Sequence, residues 1–390
     1  MTETFDAVVV GGGPCGATAA HELTRHGWSV LLLDKAGRIK PCGGAIPPRL
    51  IRDFAIPGHL LAAQITSARM VAPSERFVDM PIDGGFVGMV DRAVFDEWLR
   101  DRAASNGAVR RTARFEKITR DTDGTAIVHY QMKDGTAGSV RASVVIGADG
   151  AKSAVAAQTI PGAGKVPHVF AYHEIIRTPA RGFDGTRCDV YYQGRVSPDF
   201  YGWIFPHGDT ASVGSGSMRK GFSLRQSVTQ LRDIAGLSGA ETVRREGAPI
   251  PLHPMRRWDN GRDVVVAGDA AGVVAPASGE GIYYAMEGGR LAAEAADEFL
   301  ATGNARALRT ARQRFMKAHG RVFWILRMMQ HFWYSSDRRR ERFVSICKDP
   351  DVQRMTWDSY MNKQLTRARP ASHVRIFLKD MAHLLGLVSA

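Results

Sequence analysis

The sequence predicts an α/β protein: a parallel sheet with covering helices, an inserted antiparallel β-rich region and a helical C-terminal region. Three observations predict it. The chain opens on an apolar, β-branched run, Ala7–Val10, which meets Gly11-Gly12-Gly13-Pro14-Cys15-Gly16 and then a helix-compatible segment. Apolar runs that end in glycine and aspartate return at Val144–Asp149 and Val264–Asp269. Residues 166–257 alternate apolar and polar positions between frequent turn signals, whereas the pattern from Gly281 onward is mostly helical.

The opening segment carries G-x-G-x-x-G between a strand and a helix, the arrangement a dinucleotide needs. Gly11 permits the tight turn, Gly13 lets the backbone approach a pyrophosphate, and Gly16 allows close packing of helix and strand. The pyrophosphate would sit on the free N–H groups at the positive end of the helix. A second apolar run, Val30–Leu33, ends in Asp34, which can accept hydrogen bonds from a ribose.

Composition bounds the rest. A chain of 390 residues with 44% hydrophobic and 23% charged residues is ordinary for a large globular protein. The four cysteines, Cys15, Cys42, Cys188 and Cys347, form no C-x-x-C pair, which fits a reducing compartment without a disulfide framework or structural zinc. The N-terminus lacks a cationic start and enters a strand at once, so no signal peptide is expected. No apolar run reaches the roughly 18 residues of a membrane span, and the expected location is cytoplasmic. The net charge of +13 raises nucleic acid, an anionic membrane face or a phosphorylated substrate as partners. No nucleic-acid motif accompanies it, and nucleic acid is set aside.

A glycine-proline loop, Lys40-Pro41-Cys42-Gly43-Gly44-Ala45-Ile46-Pro47-Pro48, follows the first βαβ unit. Residues 65–90 predict short strands. Residues 91–106 place Val94, Phe95, Trp98 and Leu99 at helical spacing, with Asp91 as N-cap and Gly107 as C-cap. Two hairpin strands are expected around 125–132 and 138–146, joined by Asp134-Gly135, and a helix near 224–234. The expected division is a discontinuous nucleotide-binding domain of residues 1–69, 91–165 and 258–300, a β-rich substrate domain of 70–90 and 166–257, and a helical region of 301–390.

Three segments join the opening feature. Asp269 can accept hydrogen bonds from sugar or ribityl hydroxyls, or serve as a turn aspartate. Pro276–Ile282 precedes a helix, so the backbone at Gly281 and Ile282 offers N–H groups to a ring carbonyl or phosphate. Arg92, at a helix start, can reach a phosphate or stand solvated. Together they form the pattern of a flavoprotein.

The set Gly11/Gly13/Gly16, Asp34, Asp149-Gly150 and Gly268-Asp269 resembles the Rossmann-like, FAD-binding fold of para-hydroxybenzoate hydroxylase-type flavoproteins. Within that superfamily, Lys40-Pro41-Cys42-Gly43-Gly44 and Pro198-Asp199-Phe200-Tyr201-Gly202-Trp203-Ile204-Phe205-Pro206 are similar to signatures of geranylgeranyl reductases. Met80–Arg92 draws the resemblance toward the chlorophyll and bacteriochlorophyll branch. Asp34 stands where many relatives carry Glu, and Ala45 where some have a third glycine. The resemblance implies that NADPH reduces FAD and that reduced flavin gives hydride to isolated alkenes of a geranylgeranyl chain, as the diphosphate or as a bacteriochlorophyll ester. Three such reductions give a phytyl chain.

An unconjugated alkene has no carbonyl to take up negative charge, so the expected route couples protonation, with cation-like character, to hydride arrival. Aromatic faces stabilise such character. Tyr201, Trp203 and Phe205 alternate along one strand and project to one face with Pro206 beyond them. They read as a substrate-binding wall beside the flavin or as a core stripe. Cys42 and Gly43 are expected in the flavin pocket, Cys42 as a supporting residue, with proton donation as its other role. His173, His207 and His253 read as solvated or structural.

A twenty-carbon chain favours apolar surroundings by on the order of 10 kcal/mol, so loading from a membrane is expected. Val322–Tyr334, followed by Asp337-Arg338-Arg339-Arg340, reads as an interfacial helix with a basic flank, or equally as a core helix with a solvated end. Peripheral contact with the inner, photosynthetic membrane follows from the first. The alternatives are an FAD-dependent aromatic monooxygenase, a flavin halogenase, which the Tyr201-x-Trp203-x-Phe205-Pro206 spacing parallels, and a non-enzymatic flavin-bound carrier.

Overall fold

The computed structural model describes residues 2–35 and 42–363. These divide into two compact units, one of residues 2–35, 92–168 and 249–323 and the other of 42–91, 169–248 and 324–363. The part of the expected helical region beyond residue 363 lies outside the described residues.

In the first unit, Thr4–Val10 lies parallel to Val30–Asp34 on one side and to Ala137–Gly147 on the other, with Val9 opposite Leu32 and Ile146. Val264–Val266 adds parallel to Ala137–Gly147, with Val265 opposite Ile146. Apolar–polar alternation is absent from these strands because both faces are covered. Ala7, Val8, Val9, Leu31, Val145 and Val265 are all buried, as a parallel sheet between helices requires. Val109–Arg120 pairs parallel to Val30–Asp34 and then antiparallel to Ala126–Met132, which turns back at Gly135 (φ +90°) onto the start of Ala137–Gly147.

Helices Pro14–Arg25, Arg92–Ser105 and Ile282–Thr302 belong to this unit. Pro14 opens the first helix at a position where its missing N–H costs nothing. A Cβ on Gly289 would stand 2.2 Å from the Cys15 carbonyl oxygen, so Ile282–Thr302 approaches the first helix where it has no side chain. The parallel strands deliver three loops, Gly11–Gly13, Ala148–Gly150 and Gly268–Asp269, to one carboxyl edge, where α/β sheets bind ligands.

The second unit holds a seven-stranded sheet in the order Thr242–Pro251, His168–Arg177, Thr210–Ser217, Gly202–His207, Arg187–Tyr191, Ser67–Val71, Phe77–Pro81. Its pairings are antiparallel except for Arg187–Tyr191 on Ser67–Val71. Helix Leu224–Ile234 covers one face, packing Val228 and Leu231 on Ile204, Val213 and Val196. A three-stranded sheet joins Ala45–Ile46, Val87–Val90 and Leu61–Ile65. Helices Asp337–Ile346 and Pro350–Asn362 complete the described part.

Candidate functional site

In the first unit, the glycine loop turns at Gly11, whose φ of +105° excludes most side chains, and a Cβ there would meet the Ala148 carbonyl oxygen at 2.4 Å. Gly16 has a different constraint from the one its motif position suggests. Its Cβ would fall 1.8 Å from the Gly11 carbonyl oxygen, so it lets the helix start close onto the loop itself. Gly13 caps the helix, and a Cβ there would meet nothing within 4 Å: this is the open side of the loop. The Gly12 amide donates to Asp34 Oδ2 at 2.7 Å, tying the acid at the end of the second strand to the turn. Arg100 Nη1 donates to the Gly12 carbonyl oxygen at 3.0 Å and stands 4.0 Å from Asp34 Oδ2.

Asp269 lies buried in the short 3₁₀ turn Gly268–Ala271, between Gly268 and Gly272, both with positive φ. Gly281, the N-cap of Ile282–Thr302, faces it: a Cβ on Gly281 would be 3.9 Å from Asp269 Oδ1. Ile282, the first helical residue, is buried. The turn ahead of this helix holds Ala277 at φ +63°, a strained conformation for a residue with a Cβ.

Two other residues turn toward their own neighbours. Asp149 Oδ2 accepts from the amides of Ala154 (2.7 Å) and Val155 (3.2 Å), and Oδ1 from the Ser153 hydroxyl, so this carboxylate caps helix Ala154–Thr159. Burial pushes its pKa up despite those hydrogen bonds. Arg92 is buried and makes a bidentate pair with Asp96, both contacts at 2.7 Å.

In the second unit, the loop and strand signatures meet. Tyr201, Trp203 and Phe205 form one stripe, with ring centroids 6.0 Å and 6.3 Å apart, while Ile204 points into the opposite core. Gly43 lies against the end of that stripe, and a Cβ on Gly44 (φ +73°) would be 2.5 Å from His207 Nε2. The Gly44 amide donates to Cys42 Sγ at 3.4 Å. Lys40 and Pro41 lie outside the described residues. Pro206 is buried beyond Phe205 and pairs with Ala211.

The strand behind the stripe, Thr210–Ser217, is rich in glycine and serine. A Cβ on Gly214 would be 2.1 Å from Trp203 Cζ2, and one on Gly216 would be 2.9 Å from Phe200 Cδ1. The motif's turn is pinned to the same strand: Ser197 Oγ donates to the Gly216 carbonyl oxygen at 2.7 Å, and Ser217 Oγ donates to Asp199 Oδ1 at 2.7 Å. Burial depresses the His207 pKa, and its Nδ1 stands 3.0 Å from the Phe205 carbonyl oxygen.

Val322–Trp333 falls within helix Arg309–Trp333 and has one buried and one exposed face. Phe323, Gln330 and Trp333 are buried; Trp324 (62% exposed), Arg327, Met328 (54% exposed) and His331 share the outer face. Arg340 does not join an exposed basic flank. It is 2% exposed, pairs with Asp337 at 2.7 Å, and donates to the carbonyl oxygens of Pro198 and Tyr334. Among the described residues no helix is long and apolar enough to cross a membrane, and no cluster of His, Cys, Asp and Glu could hold a metal.

Sequence reasoning missed Arg100 and gave no role to His173, Ser212 or Glu246. The only local signal for Arg100 was its place two turns beyond Arg92 on the helix.

The cradle fits FAD: a loop open at Gly13, helix amides at its end, an acid tied to the turn and a buried Asp269 on a neighbouring strand. Residues 5–181 match the family described as pyridine nucleotide-disulphide oxidoreductase. A protein of Thermoplasma acidophilum described as geranylgeranyl bacteriochlorophyll reductase-like superposes with a TM-score of 0.82 at 21% identity, over 96% of each chain. Fold and cradle thus define an FAD-dependent oxidoreductase. The chain is also similar to the geranylgeranyl diphosphate reductase of Rhodobacter capsulatus, 60% identical over 98% of each chain. A protein of the same name from Synechocystis is 35% identical over 97% of each chain. The chain belongs to the geranylgeranyl reductase family.

Proposed function

We propose that the protein reduces the isolated double bonds of a geranylgeranyl chain to give a phytyl chain, with NADPH as electron source, in bacteriochlorophyll biosynthesis. The observation that carries this is the packing of Cys42-Gly43-Gly44 against Phe205 and His207 at the end of the Tyr201/Trp203/Phe205 stripe. Two signature segments far apart in sequence thereby build one apolar, aromatic surface. The strong similarity to curated geranylgeranyl diphosphate reductases favours reduction over hydroxylation or halogenation.

Gly11, Gly13, Gly16 and Asp34 hold the ADP end of FAD, with Asp269, Gly281 and Ile282 serving its sugar or ring side and Cys42 and Gly43 its ring pocket. Arg92 acts through the helix start it stiffens with Asp96. FAD, when bound and reduced, supplies hydride. The chain's own task is to bind an apolar tail, exclude water from it and stabilise positive character at the carbon that hydride attacks. Tyr201, Trp203 and Phe205 offer ring faces for this, with Pro206 as a rigid edge. Each reduction adds one hydride and one proton across a C=C bond, and Cys42 supports the loop rather than the proton transfer.

Loading occurs at a membrane surface. The outer face of Arg309–Trp333, with Trp324 and Met328 flanked by Arg327, suits an anionic headgroup layer. Anaerobic incubation with NADPH and either geranylgeranyl diphosphate or geranylgeranylated bacteriochlorophyll tests the reading by mass spectrometry. Successive gains of two hydrogens on one substrate are expected; gain of oxygen, gain of halide or no change overturns it.

A further inference from the structure

The Trp203 indole is fixed by more than packing. Its ring lies on the strand backbone at Gly214, and its Nε1–H donates to Ser212 Oγ at 3.0 Å. Ser212 is fully buried and its Oγ stands 2.8 Å from His173 Nδ1. His173, only 2% exposed, presents Nε2 to Glu246 Oε2 at 3.0 Å, and Arg244 pairs with the other Glu246 oxygen at 2.9 Å.

Proton counting orders this chain. An indole N–H only donates, so Ser212 Oγ accepts from Trp203 and has one proton of its own to give. His173 Nδ1 takes that hydrogen bond, which leaves Nε2–H facing the Glu246 carboxylate. All three hydrogen bonds then run in one direction, from a neutral ring to an anion. Such chains polarise one another, and low local dielectric strengthens each member. A buried tryptophan needs one acceptor; this one has an acceptor backed by a charge.

We infer that Ser212, His173 and Glu246 are positioning residues for the reduction: they lock the Trp203 ring plane and draw its N–H proton toward the carboxylate. Electron density on the ring face offered to a cation-like carbon rises as a result. The inference rests on the proposal that Trp203 lines the substrate surface.

A double-mutant cycle on the full-length, FAD-loaded protein tests it. Ser212→Ala is expected to lower kcat about tenfold, the scale of one lost hydrogen bond, with KM and FAD content unchanged. It also shifts the indole N–H band of Trp203 in ultraviolet resonance Raman spectra, a change that loss of packing alone does not produce. Trp203→Phe lowers kcat at least as much, and Ser212→Ala adds nothing in that background. Glu246→Gln, which keeps size and an acceptor, gives the same pattern with a smaller drop and serves if Ser212→Ala fails to fold. Normal kcat in Ser212→Ala and Glu246→Gln beside an impaired Trp203→Phe, or multiplicative losses in the double variant, overturns the positioning role alone. A Trp203→Phe protein with full kcat instead overturns the placement of Trp203 at the substrate surface.

Discussion

The ring of Phe205 fills the space that a side chain at residue 43 would need: a Cβ on Gly43 would stand 2.7 Å from Phe205 Cδ2. Gly43→Ala must therefore displace the loop or the ring. We expect turnover to fall at least tenfold while global stability falls by only about 1–3 kcal/mol, the usual cost of overpacking. Phe205→Leu in the same protein makes room, and steady-state kinetics should show part of the loss regained. Wild-type rates in Gly43→Ala alone would contradict the contact.

Asp34 serves the loop as well as the ligand, because Gly12 donates to it. Asp34→Ala leaves that amide without its acceptor and removes a ribose partner. At about 1–3 kcal/mol for a lost charged hydrogen bond, FAD should bind roughly 10- to 100-fold more weakly. Fluorescence titration of apoprotein with FAD measures this directly.

His207 gives a pH dependence with a definite sign. Burial depresses its folded-state pKa below the ordinary histidine value of 6.5, so the unfolded chain takes up a proton first as pH falls. Its contribution to stability is present above about 6.5 and is lost as pH drops through the folded pKa. His207→Asn keeps a donor for the Phe205 carbonyl oxygen and removes the titration. Urea unfolding at pH 8, 6 and 5 should show a steeper acid loss in the wild type than in this variant.

Arg340 sits in a run of three arginines yet behaves unlike its neighbours. Arg340→Met strands two buried carbonyl oxygens, those of Pro198 and Tyr334, and we expect a loss of about 2–4 kcal/mol. Calorimetry should show a Tm lower by several degrees, whereas Arg339→Met, at an exposed position, stays near wild type. Vesicle co-sedimentation separates the two kinds of cation: Trp324→Ala and Arg327→Ser weaken binding to anionic vesicles, and Arg340→Met does not.

What the sequence reveals here is what has a short period. The glycine turn, the buried run Val30–Leu33 and the one-sided alternation of Tyr201, Trp203 and Phe205 are set by neighbours within a few residues, and each is found in place. What the sequence hides is set by distance along the chain. Arg100 reaches Gly12 across 88 residues, and His173 meets Ser212 across 39 and Glu246 across 73. Asp149 looked like a ligand residue by position, yet four residues onward Ser153 and a helix N-terminus supply its hydrogen bonds. In Arg338-Arg339-Arg340 the sequence displays three equal charges, and only packing distinguishes the buried one.

The strand Thr210–Ser217 acts as a mould. Trp203 and Phe200 rest in hollows left where Gly214 and Gly216 lack a Cβ, so the relief of the aromatic surface is cast from behind, by atoms that are missing. Replacing an aromatic residue deletes a contact, but adding one methyl group to the mould tilts a ring that stays in place. Selectivity among the double bonds of a long tail can therefore be retuned from a strand that never touches the tail.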